Sequence, residues 1–320
     1  MPITVERYTA DLHEVWDAFV LNTAKPSFLL QRGYMDYHAD RFTDCSLVLR
    51  KPNGMVCGLL PANLSDEGRT VESHGGLTYG GLITAMGTHS EDVMQMLDVA
   101  AQYYRLTLGA STLRYRAIPH IYATYPAEAD LYWLFRHSAS LTARTLSTAI
   151  DLHCPIPYST LRRRQMRKAE EAGLQLNDEG NFDAFWPLLE NVLQERHGVR
   201  PVHTLQEMQL LKSRFSANIR LFTAEQGNTM IAGTVVYETP VTAHAQYIAA
   251  SDEARECGAL DLLFDHIISH YSTATRHPRY FDFGISTERG GRTLNNGLLS
   301  QKEGFGGRAV CYDTYECPLS

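Results

Sequence analysis

Residues 247–271 read YIAASDEARECGALDLLFDHIISHY and residues 279–286 read RYFDFGIS, and these two stretches decide the fold. Segments 247–251 and 280–285 are short and apolar, which is typical of buried strands. Between them, apolar residues recur three and four positions apart, and this spacing predicts a helix with one apolar face. The residues on that face are Leu260, Leu263, Phe264, Ile267, Ile268 and Tyr271.

The predicted helix begins at Gly258 and Ala259, directly after the first strand. The first N–H groups of a helix have no partner inside the helix, and the helix dipole adds positive potential at that end. A small-residue turn in this position predicts an anion site, where Arg255 would add positive charge and help to hold a pyrophosphate. An ordinary tight turn is the alternative.

Composition limits the class of protein only loosely. A chain of 320 residues accommodates two domains or one large one, and 44% hydrophobic with 20% charged residues predicts an ordinary folded core. The 29 basic and 36 acidic residues give a net charge of −7, which argues against broad coating by nucleic acid but leaves room for a local basic patch.

Nothing in the sequence indicates export or a membrane span. The N-terminal residues lack the basic segment and apolar run of a signal peptide. No stretch approaches the roughly 18 to 20 apolar residues that span a bilayer. The six cysteines are scattered, without a CxxC pair, as in a reduced intracellular protein. We therefore expect a cytoplasmic protein.

The order of predicted elements repeats once along the chain. The segment 154–157, CPIP, predicts a linker, because each proline disfavours helix in the residue before it. On either side, lead helices are followed by three antiparallel strands, a long amphipathic helix, a strand, a shorter helix and a last strand. Residue identity between the halves is weak. The sequence thus predicts an α/β (α+β) fold with two tandem mixed-sheet domains and flanking helices, 1–154 and 155–320.

The order strand, glycine turn, helix, strand, shorter helix and strand resembles the GNAT-type acyltransferases. Residues 281–307, FDFGISTERGGRTLNNGLLSQKEGFGG, more specifically resemble the FemAB-type tandem GNAT proteins, which include peptidoglycan-bridge aminoacyltransferases and other N-acyltransferases. The basic helix at 162–173 and HGGLTYGGL at 74–82 are similar to the same group. The resemblance covers essentially the whole chain. It implies that the first GNAT-like domain shapes the acceptor cleft and is degenerate for the donor, while the second holds the donor site.

The resemblance implies an N-acyltransferase that moves an acyl group from acetyl-CoA or another acyl-CoA to an amine of a sugar, an amino acid or a cell-wall precursor. An aminoacyl-tRNA donor and a non-catalytic binding protein are the alternatives. In GNAT proteins the pyrophosphate loop has Arg or Gln, two residues, Gly, one residue, then Gly or Ala. Arg255 and Gly258 fit this pattern, whereas Leu260 departs from it. The sequence also has no charged heptad pair for the helical arm of bridge-forming aminoacyltransferases, which argues against an aminoacyl-tRNA donor.

Direct attack by an amine needs a base beside the acceptor and a donor to the oxyanion, and it needs no covalent triad. Strand alternation turns Asp282 away from Phe281 and Phe283, so Asp282 is the first candidate for the base or for an anchor of the amine. An aspartate that accepts hydrogen bonds from loop N–H groups is the alternative. Glu288 in the following loop is a second candidate for the base. The alternative is that its carboxylate is simply solvated. Any one of the strand tyrosines Tyr247, Tyr312 and Tyr315 could protonate a leaving thiolate, although strand tyrosines more often belong to the core.

Gly290 and Gly291 let the backbone fold tightly beside Arg292, whose guanidinium could hold a carboxylate or a phosphate of the substrate. A structural salt bridge is the alternative. Ser286, at the end of the second strand, is a further candidate for substrate binding. The resemblance implies that Asn295 contacts the pantetheine-like arm of the donor. The candidates for cofactor binding are therefore Arg255, Gly258, Ala259 and Asn295.

The helix predicted from about residue 160 carries basic residues early and Glu170 and Glu171 late, which is the reverse of what the helix dipole prefers. The basic residues are Arg162, Arg163, Arg164, Arg167 and Lys168. Side chains and dipole would together attract an anion, such as nucleic acid, an anionic glycolipid, a membrane surface or acidic residues of the other domain. A solvated charged face is the alternative.

No metal is expected, because the histidines form no HExxH pair. His266 and His270 lie four residues apart on a predicted helix, which alone is a weak metal signal. We expect the histidines at the surface, namely His74, His197, His203, His244, His266, His270 and His277. Lys302 and Phe305 are expected to hold the last helix against the sheet.

Overall fold

The computed structural model describes residues 3–273 and 278–319, which leaves His277 outside the described part. The helices are α1 (His13–Val20), α2 (Arg32–Met35), α3 (Ser90–Leu108), α4 (Ala129–Arg136), α5 (Thr160–Glu171), α6 (Phe182–His197), α7 (Leu205–Arg214), α8 (Asp252–Cys257), α9 (Ala259–Thr273) and α10 (Asn296–Glu303). The strands are β1 (Thr4–Arg7), β2 (Thr43–Asp44), β3 (Leu47–Arg50), β4 (Val56–Leu60), β5 (Asn63–Ser65), β6 (Thr70–Glu72), β7 (Ile83–Thr84), β8 (Thr112–Arg116), β9 (Ser140–Asp151), β10 (Gln175–Asn177), β11 (Ile219–Gln226), β12 (Thr229–Glu238), β13 (Thr242–Ala250), β14 (Tyr280–Ile285), β15 (Thr287–Glu288), β16 (Thr293–Leu294) and β17 (Arg308–Pro318).

The chain divides into two compact units. The first comprises Met1–Leu146, Thr287–Thr293 and Cys311–Ser320, and the second comprises Ser147–Ser286 and Leu294–Val310. The boundary expected after residue 154 differs from this division, since the first unit ends at Leu146 and also takes in two C-terminal segments. The later of these segments joins the first unit because β17 pairs antiparallel with β8.

In the first unit, β1, β3, β4 and β7 form an antiparallel sheet in that order. The hairpin predicted from the Asn53–Gly54 dipeptide joins β3 to β4, and Gly54 has φ +83°. Strands β17, β8, β6, β5 and β2 hydrogen-bond in that order, with only the β8–β6 pair parallel. Helix α3 packs into the core through Val93, Met96, Leu97, Ala100 and Tyr104.

In the second unit the strand order is β10-β11-β12-β13-β14-β9, and only β13 and β14 are parallel. Helix α9 buries the apolar face that the spacing predicts, and it packs there against Phe281 and Phe283 of β14. Helix α6 packs against β13 at Tyr247, whose ring meets the ring of Trp186 edge-on. The mixed α/β fold expected from the sequence is thus confirmed.

The sequence predicts a single helix over residues 28–42, and this prediction is wrong. The segment holds α2 between two short 3₁₀ turns, Phe28–Leu30 and Asp36–Arg41. His38 has φ −130° and ψ 30°, which interrupts helical hydrogen bonding.

The described residues lack two features. None of the helices there is long and apolar enough to cross a bilayer. Within the same ranges, no group of three His, Cys, Asp or Glu side chains is arranged to hold a metal ion.

Candidate active site

Helices α5, α9 and α10 of the second unit line a cleft of about 940 Å³. Three arginines reach it, Arg162 from α5, Arg255 from α8 and Arg308 from the start of β17. Its acidic residues are Asp261 and Glu303. The cleft therefore has a positive balance of charge and lies at the N-terminal end of α9, where the sequence predicts an anion site.

Gly258 ends α8 and precedes α9 with φ +81°, a conformation that favours glycine. A Cβ atom at this position would lie 2.5 Å from the carbonyl oxygen of Gln165, so the backbone of α5 passes directly over the turn. Ala259, the first residue of α9, is fully buried. Ala259 therefore packs in the core, and Gly258 and Arg255 are the parts of the predicted loop that line the cleft.

A carboxylate already lies at the start of α9. Asp261, in the first turn, is 5% exposed and accepts a hydrogen bond of 2.6 Å from Nη1 of Arg162. Burial raises the pKa of Asp261 to about 6, and the attraction of Arg162 opposes this rise. Arg255 also has an acidic neighbour, since its Nη1 lies 3.5 Å from Oδ1 of the exposed Asp252.

Strands β13 and β14 pair at only three positions, which are Thr242 with Tyr280, Ala243 with Phe281, and His244 with Asp282. Beyond the last pair β13 continues to Ala250 without a ladder partner on that side in the described residues. A gap between two parallel strands therefore opens directly after His244 and Asp282.

Asp282 is completely buried, and its carboxylate accepts hydrogen bonds from His244, Ser147 and Gly284. Oδ2 accepts from Nδ1 of His244 at 2.8 Å, and Oδ1 accepts from Oγ of Ser147 and from the N–H of Gly284. The Gly284 contact corresponds to the backbone contact that the sequence analysis weighed against a catalytic role. Asp282 is therefore closed to water, and its neighbour His244 has the more accessible side chain of the pair, at 13% exposed.

Lys302 of α10 is 4% exposed, and its Nζ donates to the carbonyl oxygens of Gly284 and Ile285 at 2.8 Å each. Burial lowers the pKa of Lys302 to about 8, and the negative charge of Asp282 opposes the shift. Phe305 lies in the same core as Phe283. Both residues thus hold α10 against β14, as the sequence predicts.

Tyr247 lies further along β13, in contact with His203. Its hydroxyl lies 2.6 Å from Nδ1 of His203 and accepts a hydrogen bond from the N–H of that residue. Burial raises the pKa of Tyr247 to about 12.

Ser286 and Asn295 are joined through the backbone, since the N–H of Asn295 donates to the carbonyl oxygen of Ser286. The side chain of Asn295 caps α10 by accepting from the N–H of Leu298, so its carboxamide oxygen serves the helix. The hydroxyl of Ser286 is buried and has no hydrogen-bond partner within the described ranges.

Glu288 and Arg292 belong to the first unit, whereas Asp282 belongs to the second. Both side chains are exposed, and Arg292 lines a small cleft of about 130 Å³ together with Arg144. Gly291 is required here, because a Cβ atom on it would lie 1.6 Å from the carbonyl oxygen of Arg144. The backbone thus folds tightly beside Arg292, as the two glycines predict.

Sequence reasoning did not single out Ser147 or Asp261, and it expected His244 among the surface histidines. That expectation is wrong for His74 and His203, which are buried, and the side chain of His244 is only 13% exposed. A signal for His244 was available, because it is an isolated imidazole between Ala243 and Ala245 on a strand expected beside Asp282. The partnership between Arg162 and Asp261 depends on how α5 packs on α9, which no local pattern records.

Residues 160–289 match the family model described as acetyltransferase (GNAT) domain. Three solved structures share the fold of the whole chain. FemX has a TM-score of 0.67 at 11% identity, over 97% of this chain and 96% of that one. The C-terminal domain of a putative lysylphosphatidylglycerol synthetase from Agrobacterium fabrum has a TM-score of 0.62 at 13% identity, over 97% and 92%. A tandem GNAT protein from the clavulanic acid biosynthesis pathway has a TM-score of 0.52 at 14% identity, over 99% of each chain.

No curated protein matches the chain in sequence. The fold of the chain is that of the tandem GNAT proteins, and its residues 160–289 match the acetyltransferase (GNAT) domain.

Proposed function

We propose that the second unit transfers an aminoacyl group from the 3′ end of an aminoacyl-tRNA to an amine of a small-molecule or cell-wall-precursor acceptor. The observation that carries this choice of donor is the buried ion pair of Arg162 and Asp261 at the start of α9. The similarity to a putative lysylphosphatidylglycerol synthetase supports it, since that name describes a lipid to which an amino acid is attached.

Coenzyme A carries a pyrophosphate, which in GNAT proteins is expected on the first N–H groups of the helix that corresponds to α9. In this protein the carboxylate of Asp261 occupies that end, and the larger Leu260 replaces a small residue. A pyrophosphate there would meet a like charge in a poorly hydrated place, which is unfavourable. The phosphodiesters of an RNA carry one charge each and could bind the cleft arginines without reaching that turn.

The outer face of α5 supplies further positive charge for an RNA backbone. Arg163, Arg164 and Arg167 are exposed, and they follow Arg162, which reaches into the cleft. Exposed Lys168 donates to the carbonyl oxygen of Glu256 at 2.6 Å. A net charge of −7 over the chain makes such a basic strip a local feature, as suits a ligand that touches one face of the protein.

The gap between β13 and β14 suits the acyl group. The N–H groups of β13 that face this gap beyond His244 have no ladder partner among the described strands, and such groups can donate hydrogen bonds to a developing oxyanion. The ester that links an amino acid to a ribose is activated for attack, so the protein need not form a covalent intermediate.

Transfer from acetyl-CoA or another acyl-CoA is the second candidate. Arg255 and Gly258 support it, because they match the first two conserved positions of a GNAT pyrophosphate loop and both line the cleft. On this candidate Asp261 would bind the pyrophosphate less well when ionised than when protonated.

The two donors are separated by binding measurements on the purified full-length protein. We expect a gel shift with tRNA at low salt and no heat of binding with acetyl-CoA or desulfo-CoA. Changing Arg163 and Arg164 together to alanine should weaken the binding, so that the shift appears only at higher protein concentration. The matched control changes Arg105 and Arg136, two exposed arginines of the first unit, to alanine. Micromolar binding of acetyl-CoA without binding of tRNA would overturn the proposal in favour of the second candidate.

A further inference from the structure

We propose that His244 is the general base of the transfer reaction and that Asp282 is its positioning residue. The inference deepens the proposed function, since it concerns the acceptor side of the same site. It holds for either donor, because the base acts on the acceptor amine.

His244 stands where a base is needed. It belongs to the last ladder pair before β13 and β14 separate, so its ring borders the gap that would receive the acyl group. Gly284 leaves room beside it, since a Cβ atom there would lie 3.5 Å from Cε1 of His244 and 3.5 Å from the carbonyl oxygen of Ala245. Gly284 also has φ +79°, a conformation that favours glycine.

The hydrogen bonds determine the tautomer of His244. An ionised carboxylate only accepts hydrogen bonds, so the contact between Nδ1 and Oδ2 of Asp282 requires the hydrogen on Nδ1. Nε2 then keeps its lone pair. Nε2 makes no hydrogen bond to any described residue, and the side chain is 13% exposed. Imidazole is the side chain that most readily exchanges a proton near neutral pH.

Residues of β9, β12 and α10 adjoin this pair. Asp282 faces Nδ1 from β14, and its other oxygen accepts from Ser147 of β9. Tyr237 lies opposite His244 on β12, and Lys302 approaches Asp282 from α10. The carboxylate next to Nδ1 stabilises the imidazolium, and the hydrogen bonds to Oδ1 keep the carboxylate in place.

The reaction balances with these groups alone. The acceptor nitrogen attacks the carbonyl carbon and a C–N bond forms, while Nε2 of His244 takes a proton from that nitrogen. The bond from the carbonyl carbon to the ribose oxygen then breaks, and the imidazolium returns the proton to the leaving oxygen. For a thioester donor the leaving atom is sulfur, and the proton count is the same.

The test replaces His244 by glutamine, whose amide can still donate to Asp282 but cannot take a proton. In single-turnover reactions with either donor we expect the rate to fall at least 100-fold, with donor binding unchanged, which is the range for loss of a general base. The acidic limb of the pH–rate profile should disappear as well. Asp282→Asn should lower the rate and displace that limb, a change that a purely structural role would not produce.

His266→Gln is the matched control, because His266 also bonds a carboxylate, that of Asp178, within the second unit. This variant should keep its turnover and its pH profile. A His244→Gln variant with a rate within threefold of wild type would overturn the assignment.

A second measurement does not depend on turnover. The nitrogen resonances of ¹⁵N-histidine-labelled protein, assigned with His244→Gln, should show hydrogen on Nδ1 of His244. Hydrogen on Nε2 instead would refute the proposed base, even if the donor proves correct. If the protein bound neither tRNA nor acetyl-CoA, the proposed function would be refuted. The tautomer of His244 would then still be tested by the nitrogen resonances.

Discussion

Arg162 and Asp261 form an ion pair of 2.6 Å in the cleft, with side chains only 13% and 8% exposed. The pair joins α5 to the first turn of α9 and neutralises a carboxylate that α9 could otherwise bury only at high cost. Removal of one partner of a buried pair leaves an uncompensated charge and destabilises a protein by about 3–5 kcal/mol. We expect a loss of this size for Arg162→Met at pH 7, measured by urea unfolding, and a smaller one for Asp261→Asn.

Asp261 also makes stability depend on pH. Its pKa in the folded state is about 6, above the usual value of 3.8, so the folded protein holds this proton more tightly than the unfolded chain. The contribution of Asp261 to stability is therefore fully present below pH 4 and is lost as the pH rises through 6, a change of roughly 3 kcal/mol. The difference in unfolding free energy between wild type and Asp261→Asn should shift accordingly between pH 4 and 7. A constant difference would contradict the assignment.

Gly258→Ala should destabilise the second unit for two reasons. The residue has φ +81°, and the new Cβ would lie 2.5 Å from the carbonyl oxygen of Gln165. Gly173→Ala is a matched control, since Gly173 has φ +68° with nothing within 4 Å of the added atom. The control should lose about 1 kcal/mol, the usual effect of the left-handed conformation, and Gly258→Ala should lose clearly more. If both variants lost the same free energy of unfolding in urea, α5 would have to shift at little cost to accommodate the added Cβ atom.

Lys302→Met tests the opposite pH dependence. Burial holds the pKa of Lys302 at about 8, below its usual 10.5, so the unfolded chain binds this proton more tightly. Between pH 8 and 10.5 the wild type should gain stability relative to the variant, by roughly 3 kcal/mol over the full window. Unfolding by urea at pH 7.5 and pH 10 gives the two values. No change in the difference would show that Lys302 titrates normally.

The salt dependence of tRNA binding counts the phosphates that α5 contacts. For a single-stranded contact, the slope of log K against log salt changes by about 0.7 for each phosphate neutralised. Loss of Arg163 and Arg164 should therefore reduce the slope by about 1.4 if each holds one phosphate. An unchanged slope with weaker binding would mean that they act through the shape of α5 and not through charge.

Much of the fold was predictable because its elements repeat regular patterns. The apolar spacing of α9, the glycine turn before it and the alternation of β14 follow from local sequence, and the structure contains all three. The same alternation turns Asp282 away from Phe281. These features depend on periods of 3.6 and 2 residues, which a single sequence displays.

The parts that escaped prediction are contacts between distant segments. Arg162 and Asp261 are 99 residues apart, and His244 and Asp282 are 38 apart on strands whose pairing the sequence does not state. Glu288 and Arg292 follow β14 closely in sequence, yet they belong to the first unit. Closeness in sequence to Asp282 therefore did not predict which residues belong to the same unit.

The pairing of β17 with β8 has a consequence for synthesis. Residues 314–318 lie about 200 positions after their partners at 112–116, and the whole second unit is made in the interval. On the ribosome, the first unit is thus the first to emerge and the last to be completed. One edge of β8 has no partner until β17 has been synthesised. Nascent chains should expose that edge to chaperones until translation has passed β17.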